Sequence, residues 1–113
     1  MKKQFKNASM QALKTVHISQ LDHVNQFIID SDDFRLFQSY NSLIAIYDKN
    51  NHVLLLGCDW DYSNTTLKHL YLFINDYCYL PEIDDILYKA SNKKAAIYKA
   101  IKNGLILYDP EMR

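Results

Sequence analysis

Glycine and proline are scarce in this chain of 113 residues, with two of each. That leaves little room for long irregular loops. No repeat, linker or low-complexity stretch divides the sequence, so it reads as one domain over residues 1–113. Net charge is also missing, because 13 Lys and Arg offset 13 Asp and Glu. A neutral chain is neither a polyanionic mimic of nucleic acid nor a protein that holds DNA by bulk charge. No apolar run approaches the ~20 residues that span a bilayer, so no membrane partner is expected. The opening "MKKQFKNASMQALK" is basic but lacks the continuous apolar core of a signal peptide. Cys58 and Cys78 are the only cysteines, and in a cytoplasmic chain they are expected to be reduced thiols.

Apolar and aromatic residues are plentiful. They make up 49% and 13% of the chain, with nine tyrosines, which is enough to drive a packed core. Residues 1–11 are polar and expected to fray. Residues 13–18, "LKTVHI", suit a strand. Ser19 then suits the cap of a helix over 19–30, where Leu21, Val24, Phe27 and Ile28 recur at spacings of three and four. Strands are predicted over 34–40, 42–48 and 52–58. The last two form a hairpin around "KNN", since asparagine tolerates left-handed turn geometry. Beyond 63 the period becomes helical. Leu67, Leu70, Tyr71, Ile74 and Cys78 form one stripe, Ile83, Ile86, Leu87 and Ala90 a second, and Ile97, Ala100 and Ile101 a third. Pro81 separates the first two, Asn92 recaps the third, and Asn103 and Gly104 stop it. "LILYD" at 105–109 can add a last edge strand. The expected class is α+β: a small, mainly antiparallel sheet packed with helices, and a helical C-terminal third.

The most crowded stretch is "DWDYSNTTLKHLYLF", residues 59–73. Trp60 is large enough to close one end of a core. Ser63 is the first choice for a helix cap, because its oxygen can accept the unpaired N–H groups of a first turn. Lys68 and His69 fall off the apolar stripe and are expected at the surface. Together with "FQSYNSLIAIYD" upstream, this stretch resembles a family of small proteins of unknown function. They are encoded by phages and other mobile elements of low-GC Gram-positive bacteria. The shared pattern is an S-Y strand and hairpin followed by W-D-Y-S-x-T-T-x-K-H-L-x-x-F. Ser39, Tyr40, Trp60, Asp61, Tyr62, Ser63, Thr65, Thr66, Lys68, His69, Leu70 and Phe73 carry the match, which spans roughly residues 34–75. The resemblance implies a mobile-element origin, a compact α+β domain in the host bacterial cytoplasm, and no particular reaction.

Three chemistries can be asked of these residues. Cys58 or Ser63 with His69 could pair a nucleophile with a base, but no Gly-rich elbow or phosphate loop frames either pair. Cys58, Asp59, Asp61 and His69 offer sulfur, oxygen and nitrogen donors within twelve residues, and Zn2+ would be the first metal to suit them. Against it stand the absence of C-x-x-C and H-x-x-x-H spacing and the scatter of the histidines at 17, 23, 52 and 69. His17 and His23 could meet across the first turn, although each suits a surface position. Third, residues 92–103 form a helix rich in lysine, with Lys93, Lys94, Lys99 and Lys102 around Tyr98 and the acids Glu82, Asp84 and Asp85 just before it. A short helix, a turn and a basic helix could read DNA, yet between its cap at Asn92 and its stop at Asn103 this helix has no Arg, Asn or Gln to reach base edges.

The expectation that follows is a binding protein rather than an enzyme. Tyrosine offers large contact area with a polar tip, and Tyr62, Tyr77, Tyr79, Tyr88 and Tyr98 cannot all be core in a domain this small. Tyr62, Lys68, Tyr88, Lys94, Tyr98 and Lys102 are the expected partner-binding residues. The mobile-element resemblance implies an accessory protein that occupies a host defence protein, for example an anti-CRISPR inhibitor of a type II CRISPR effector, an RNA-guided nuclease. The alternatives are a small DNA-binding regulator using helix 92–103 and a metal-dependent hydrolase.

Overall fold

A computed structural model describes residues 17–21 and 25–113. The strand segment expected over 13–16 and the fraying of residues 1–11 lie outside them, as does His23. The described chain folds into a six-stranded sheet with three helices, the α+β class anticipated. The strands are β1 (His17–Gln20), β2 (Gln26–Asp30), β3 (Phe34–Ser39), β4 (Ser42–Asp48), β5 (Val53–Gly57) and β6 (Leu107–Asp109). They lie side by side in sequence order. The first five form an antiparallel meander, and β6 returns parallel to β5. Helices α1 (Asn64–Tyr77), α2 (Asp84–Lys89) and α3 (Lys93–Lys102) occupy the connection between β5 and β6, as a parallel crossover requires.

Local chemistry sets the boundaries. At the β4–β5 hairpin, Asp48 accepts the N–H groups of Asn50 (2.9 Å) and Asn51 (3.1 Å) and the side-chain amide of Asn51 (2.8 Å). Helix α1 begins where Ser63, in extended backbone, accepts the N–H of Thr66 at 3.1 Å. Asn92 does the same for α3 through the N–H of Ala95 at 3.0 Å. Gly104 ends α3 with φ +76°, a left-handed conformation that glycine adopts without steric cost.

The helix predicted over 19–30 is not there. Ser19 lies in exposed strand β1, and 26–30 is a strand paired on both sides. Ile28 and Ile29 point to opposite faces of the sheet, and both are buried. A strand covered on two sides reads as a continuous apolar run, and adding Leu21 and Val24 produced a helical spacing by coincidence. The turn between β1 and β2 holds Asn25 at φ 70°.

Two cores result. On the helix side, Ile28, Phe37, Ala45, Leu54 and Leu56 meet Leu70, Phe73, Ile74, Leu87 and Ile97. The rings of Phe37 and Phe73 stack at 5.8 Å, which seats α1 on β3. On the other side, Ile29, Leu36, Ile46 and Leu55 form a smaller cluster with Leu107 and Met112. Ile86, expected within the stripe of α2, is exposed instead, because the short helix turns only Leu87 inward, alongside Ile83 at its cap.

Candidate functional site

The corner between β5 and α1 gathers groups from three distant parts of the chain. Trp60 is 2% exposed and packs into the helix-side core. Its ring meets Tyr98 of α3 edge-on, at 4.9 Å between centroids. Tyr98 is 50% exposed, and its hydroxyl donates a very short hydrogen bond to Asp61 Oδ2. Holding that hydrogen to a carboxylate raises the phenol above its ordinary range. Lys94 Nζ lies 3.8 Å from the same oxygen. A buried indole therefore supports an exposed tyrosine, which in turn is tied to an acid and a lysine.

Beside this group lies a cleft of about 530 Å³, walled by the β3–β4 turn on one side and the start of α1 on the other. Ser39, Tyr40, Asn41, Ser42 and Ile44 come from the turn, and Asp59, Tyr62, Ser63, Thr65 and Thr66 from the corner. Ser42 donates to Asp59 Oδ2 at 2.9 Å, and the Cys58 thiol lies 3.5 Å from Oδ1. Tyr40 has φ 53°, which is strained for a residue with a side chain. Its backbone is fixed by donation to Asn25 O at 2.7 Å and by the Gln38 amide on its own carbonyl at 2.8 Å. Tyr40 is 57% exposed and Tyr62 81%. Tyr62 and Ser63 also border a smaller hollow of about 270 Å³ that includes Asp61 and Lys94. Tyr62 thus stands on the ridge between the cleft and the Asp61–Lys94–Tyr98 group, and the whole forms one face. A second cleft, of about 490 Å³, lies elsewhere, beside His52, Tyr79, Leu80 and Leu105.

Of the expected partner-binding residues, Tyr62, Lys94 and Tyr98 meet on this face. Tyr88 does not, because its ring packs edge-on against Tyr71, and Lys93 lies over both rings at 5.6 and 4.5 Å. Lys68 and Lys102 are exposed on α1 and at the end of α3. Tyr40 and Asn41 line the cleft but are not among the expected partner-binding residues. The S-Y element of the family resemblance, Ser39 and Tyr40, is the sequence signal for this wall, and it does not include Asn41.

The zinc grouping is not assembled. Among the described residues no three His, Cys, Asp or Glu side chains are placed to hold a metal ion. Asp59 turns toward Ser42 and the cleft, while Asp61 turns toward α3. His69, expected at the surface, is 2% exposed within α1, and its Nδ1–H donates to Thr65 O at 2.8 Å. It is drawn inward because the buried arc of α1 runs through 66, 69, 70, 71, 73 and 74 and so takes in the histidine. The nucleophile pairs fare no better. Ser63 is engaged as the helix cap with Thr66, and desolvation, with Asp59 alongside, pushes the Cys58 thiol up, away from the reactive thiolate.

The sequence model of a domain family described as "Family of unknown function (DUF8033)" matches residues 14–90, more than half of the chain. No curated protein and no solved structure matches it. No helix among the described residues is long and apolar enough to cross a membrane.

Proposed function

We propose a protein-binding function for this chain, which belongs to the DUF8033 family of unknown function. The face at the β5–α1 corner meets the partner. One observation carries this reading: three exposed tyrosines, Tyr40, Tyr62 and Tyr98, stand on one continuous face with Asp59, Asp61 and Lys94 among them. Contact energy concentrates in a few aromatic and charged anchors, and tyrosine supplies area at low cost in side-chain entropy. Tyr98 is already oriented by Trp60 and Asp61, so little ordering remains to be done on binding. The resemblance to mobile-element proteins directs the choice of partner to a host defence protein, and an RNA-guided nuclease of the type II CRISPR class is the first to test.

The basic helix supports nucleic-acid binding less well. Lys93 is committed to the Tyr71 and Tyr88 rings and Lys94 sits by Asp61, which leaves Lys99 and Lys102 of the four lysines. Two acids on the same face oppose a phosphate backbone.

The experiment compares wild type with the combined variant Tyr62→Ala, Lys94→Ala and Tyr98→Ala in a reconstituted nuclease reaction and in a binding assay with the purified nuclease. Wild type should block target cleavage, and the variant should block it at least ~10-fold less, since hot-spot truncations each cost ~2 kcal/mol or more. Full cleavage under excess wild type, across nucleases of plausible hosts, removes the inhibitor reading. Tight binding to naked DNA that falls steeply with salt would instead favour the regulator.

A further inference from the structure

We infer that the cleft between the β3–β4 turn and the start of α1 receives an arginine side chain from an extended segment of the partner. This rests on the protein-binding reading above and names the chemistry of its central contact. Among the described residues the cleft is lined by one acid, Asp59, and by no lysine, arginine or histidine. A carboxylate offers about four acceptor positions. On Asp59, Ser42 takes one on Oδ2 and the weak Cys58 thiol one on Oδ1. Each oxygen therefore keeps room for a further donor, as the two parallel N–H groups of a guanidinium require.

The walls favour the same guest. Tyr40 and Tyr62 present exposed rings on either side of the cleft. A planar guanidinium stacks on such rings, whereas an ammonium group is a compact and more strongly hydrated charge. The volume, about 530 Å³, exceeds a single side chain and leaves space for flanking backbone. At the far wall, Ser63, Thr65 and Thr66 begin α1, where helix N–H groups point outward and suit the carbonyls of that backbone. The helix end carries only about half an elementary charge, part of it already met by the Ser63 oxygen. The full negative charge of Asp59 therefore sets the preference for a cation. An anion such as a phosphate would meet that charge with no basic group among the described lining residues to offset it.

The test uses the full chain, labelled with nitrogen-15, and the capped tripeptide acetyl-Gly-Arg-Gly-amide. The expected result is saturable movement of backbone amide signals confined to residues 39–44 and 59–66. The same peptide with citrulline, which keeps the shape and loses the charge, should bind at least ~10-fold more weakly, because a charge-assisted pair is lost. The lysine peptide should fall between them. Asp59→Asn, which can still accept from Ser42, should weaken the arginine peptide by a similar factor without changing the circular dichroism spectrum. Should that variant misfold, Tyr62→Ala replaces it, since its ring is the most exposed on the face. Equal binding of arginine and citrulline peptides, of arginine and lysine peptides, or an unaltered affinity in Asp59→Asn overturns the inference. A peptide that fails to bind while the Tyr62, Lys94 and Tyr98 variant still loses the nuclease leaves the protein-binding reading standing and removes the arginine cleft alone.

Discussion

Trp60→Ala probes the link between the core and the proposed contact face. The indole is buried against the helix-side cluster, so its removal leaves a cavity as well as losing transfer free energy, at ~3–5 kcal/mol for a change of this kind. Loss of the edge-on contact with Tyr98 adds ~0.5–1.5 kcal/mol beyond area, unless the cavity collapses. An unfolding entropy of ~2.1 cal/mol/K per residue gives ~0.24 kcal/mol/K for 113 residues. A loss of ~4 kcal/mol therefore lowers the melting temperature by about 17 °C. Trp60 is the only tryptophan, so its fluorescence vanishes with the mutation, and melting must be followed by far-ultraviolet circular dichroism. A double-mutant cycle with Tyr98→Ala then isolates the ring contact, with an expected coupling of ~0.5–1.5 kcal/mol. An unchanged melting temperature in Trp60→Ala refutes the packing. Zero coupling in the cycle refutes the idea that the core orients Tyr98.

Gly57→Ala should destabilise by ~1–3 kcal/mol in urea titrations, because a methyl group there would lie 2.5 Å from Met112 O and 2.8 Å from Leu43 O; Gly104→Ala, with open space around it and φ +76°, should cost only ~1 kcal/mol of backbone strain. Asp84 has Oδ1 buried without a partner among the described residues, and desolvation, with Asp85 beside it, raises its carboxyl above the ordinary 3.8. The folded state then holds that proton more tightly than the unfolded one, so the contribution of Asp84 is most favourable below pH 3.8 and declines as pH rises through the folded value. Asp84→Asn cannot ionise, and its urea midpoint should gain on wild type between pH 3 and pH 7; a margin that stays constant with pH would contradict this. His69→Ala should lower the melting temperature by the equivalent of ~1–3 kcal/mol, as for other buried polar losses, while a chelator leaves wild type unmoved; near-stoichiometric zinc in untreated protein would reverse that expectation.

What the sequence made legible was whatever is decided within a few residues. The β4–β5 hairpin follows from two apolar runs around Lys49, Asn50 and Asn51. The caps at Ser63 and Asn92 and the stop at Gly104 follow from side chains that bond their own neighbours. Strand β2 was misread because burial on both faces erases the alternation that marks a strand. His69 was misplaced because the arc that α1 buries is wider than the leucine stripe suggested. The face itself could not be read locally, since Tyr98 meets Asp61 across 37 residues, and only folding decides which of many tyrosines stand together. The resemblance over 34–75 carried Ser39, Tyr40, Tyr62, Ser63, Thr65 and Thr66 of the cleft, but not Asp59 or α3.

The parallel return of β6 beside β5 bears on the order in which the molecule is built. The N–H of Cys58, where the corner begins, is satisfied by Met112 O at 2.9 Å, and Gly57 is packed against that same carbonyl. Tyr98, in α3, reaches Asp61 only after α1 and α2 have been laid between them. During synthesis the meander can pair as it emerges, because its contacts are local. The corner must wait for the chain to close a loop of some fifty residues, a slow, non-local step. The part of the proposed contact surface that depends on α3, Asp61 with Lys94 and Tyr98, is therefore expected to be the last to mature, after the hairpins have formed.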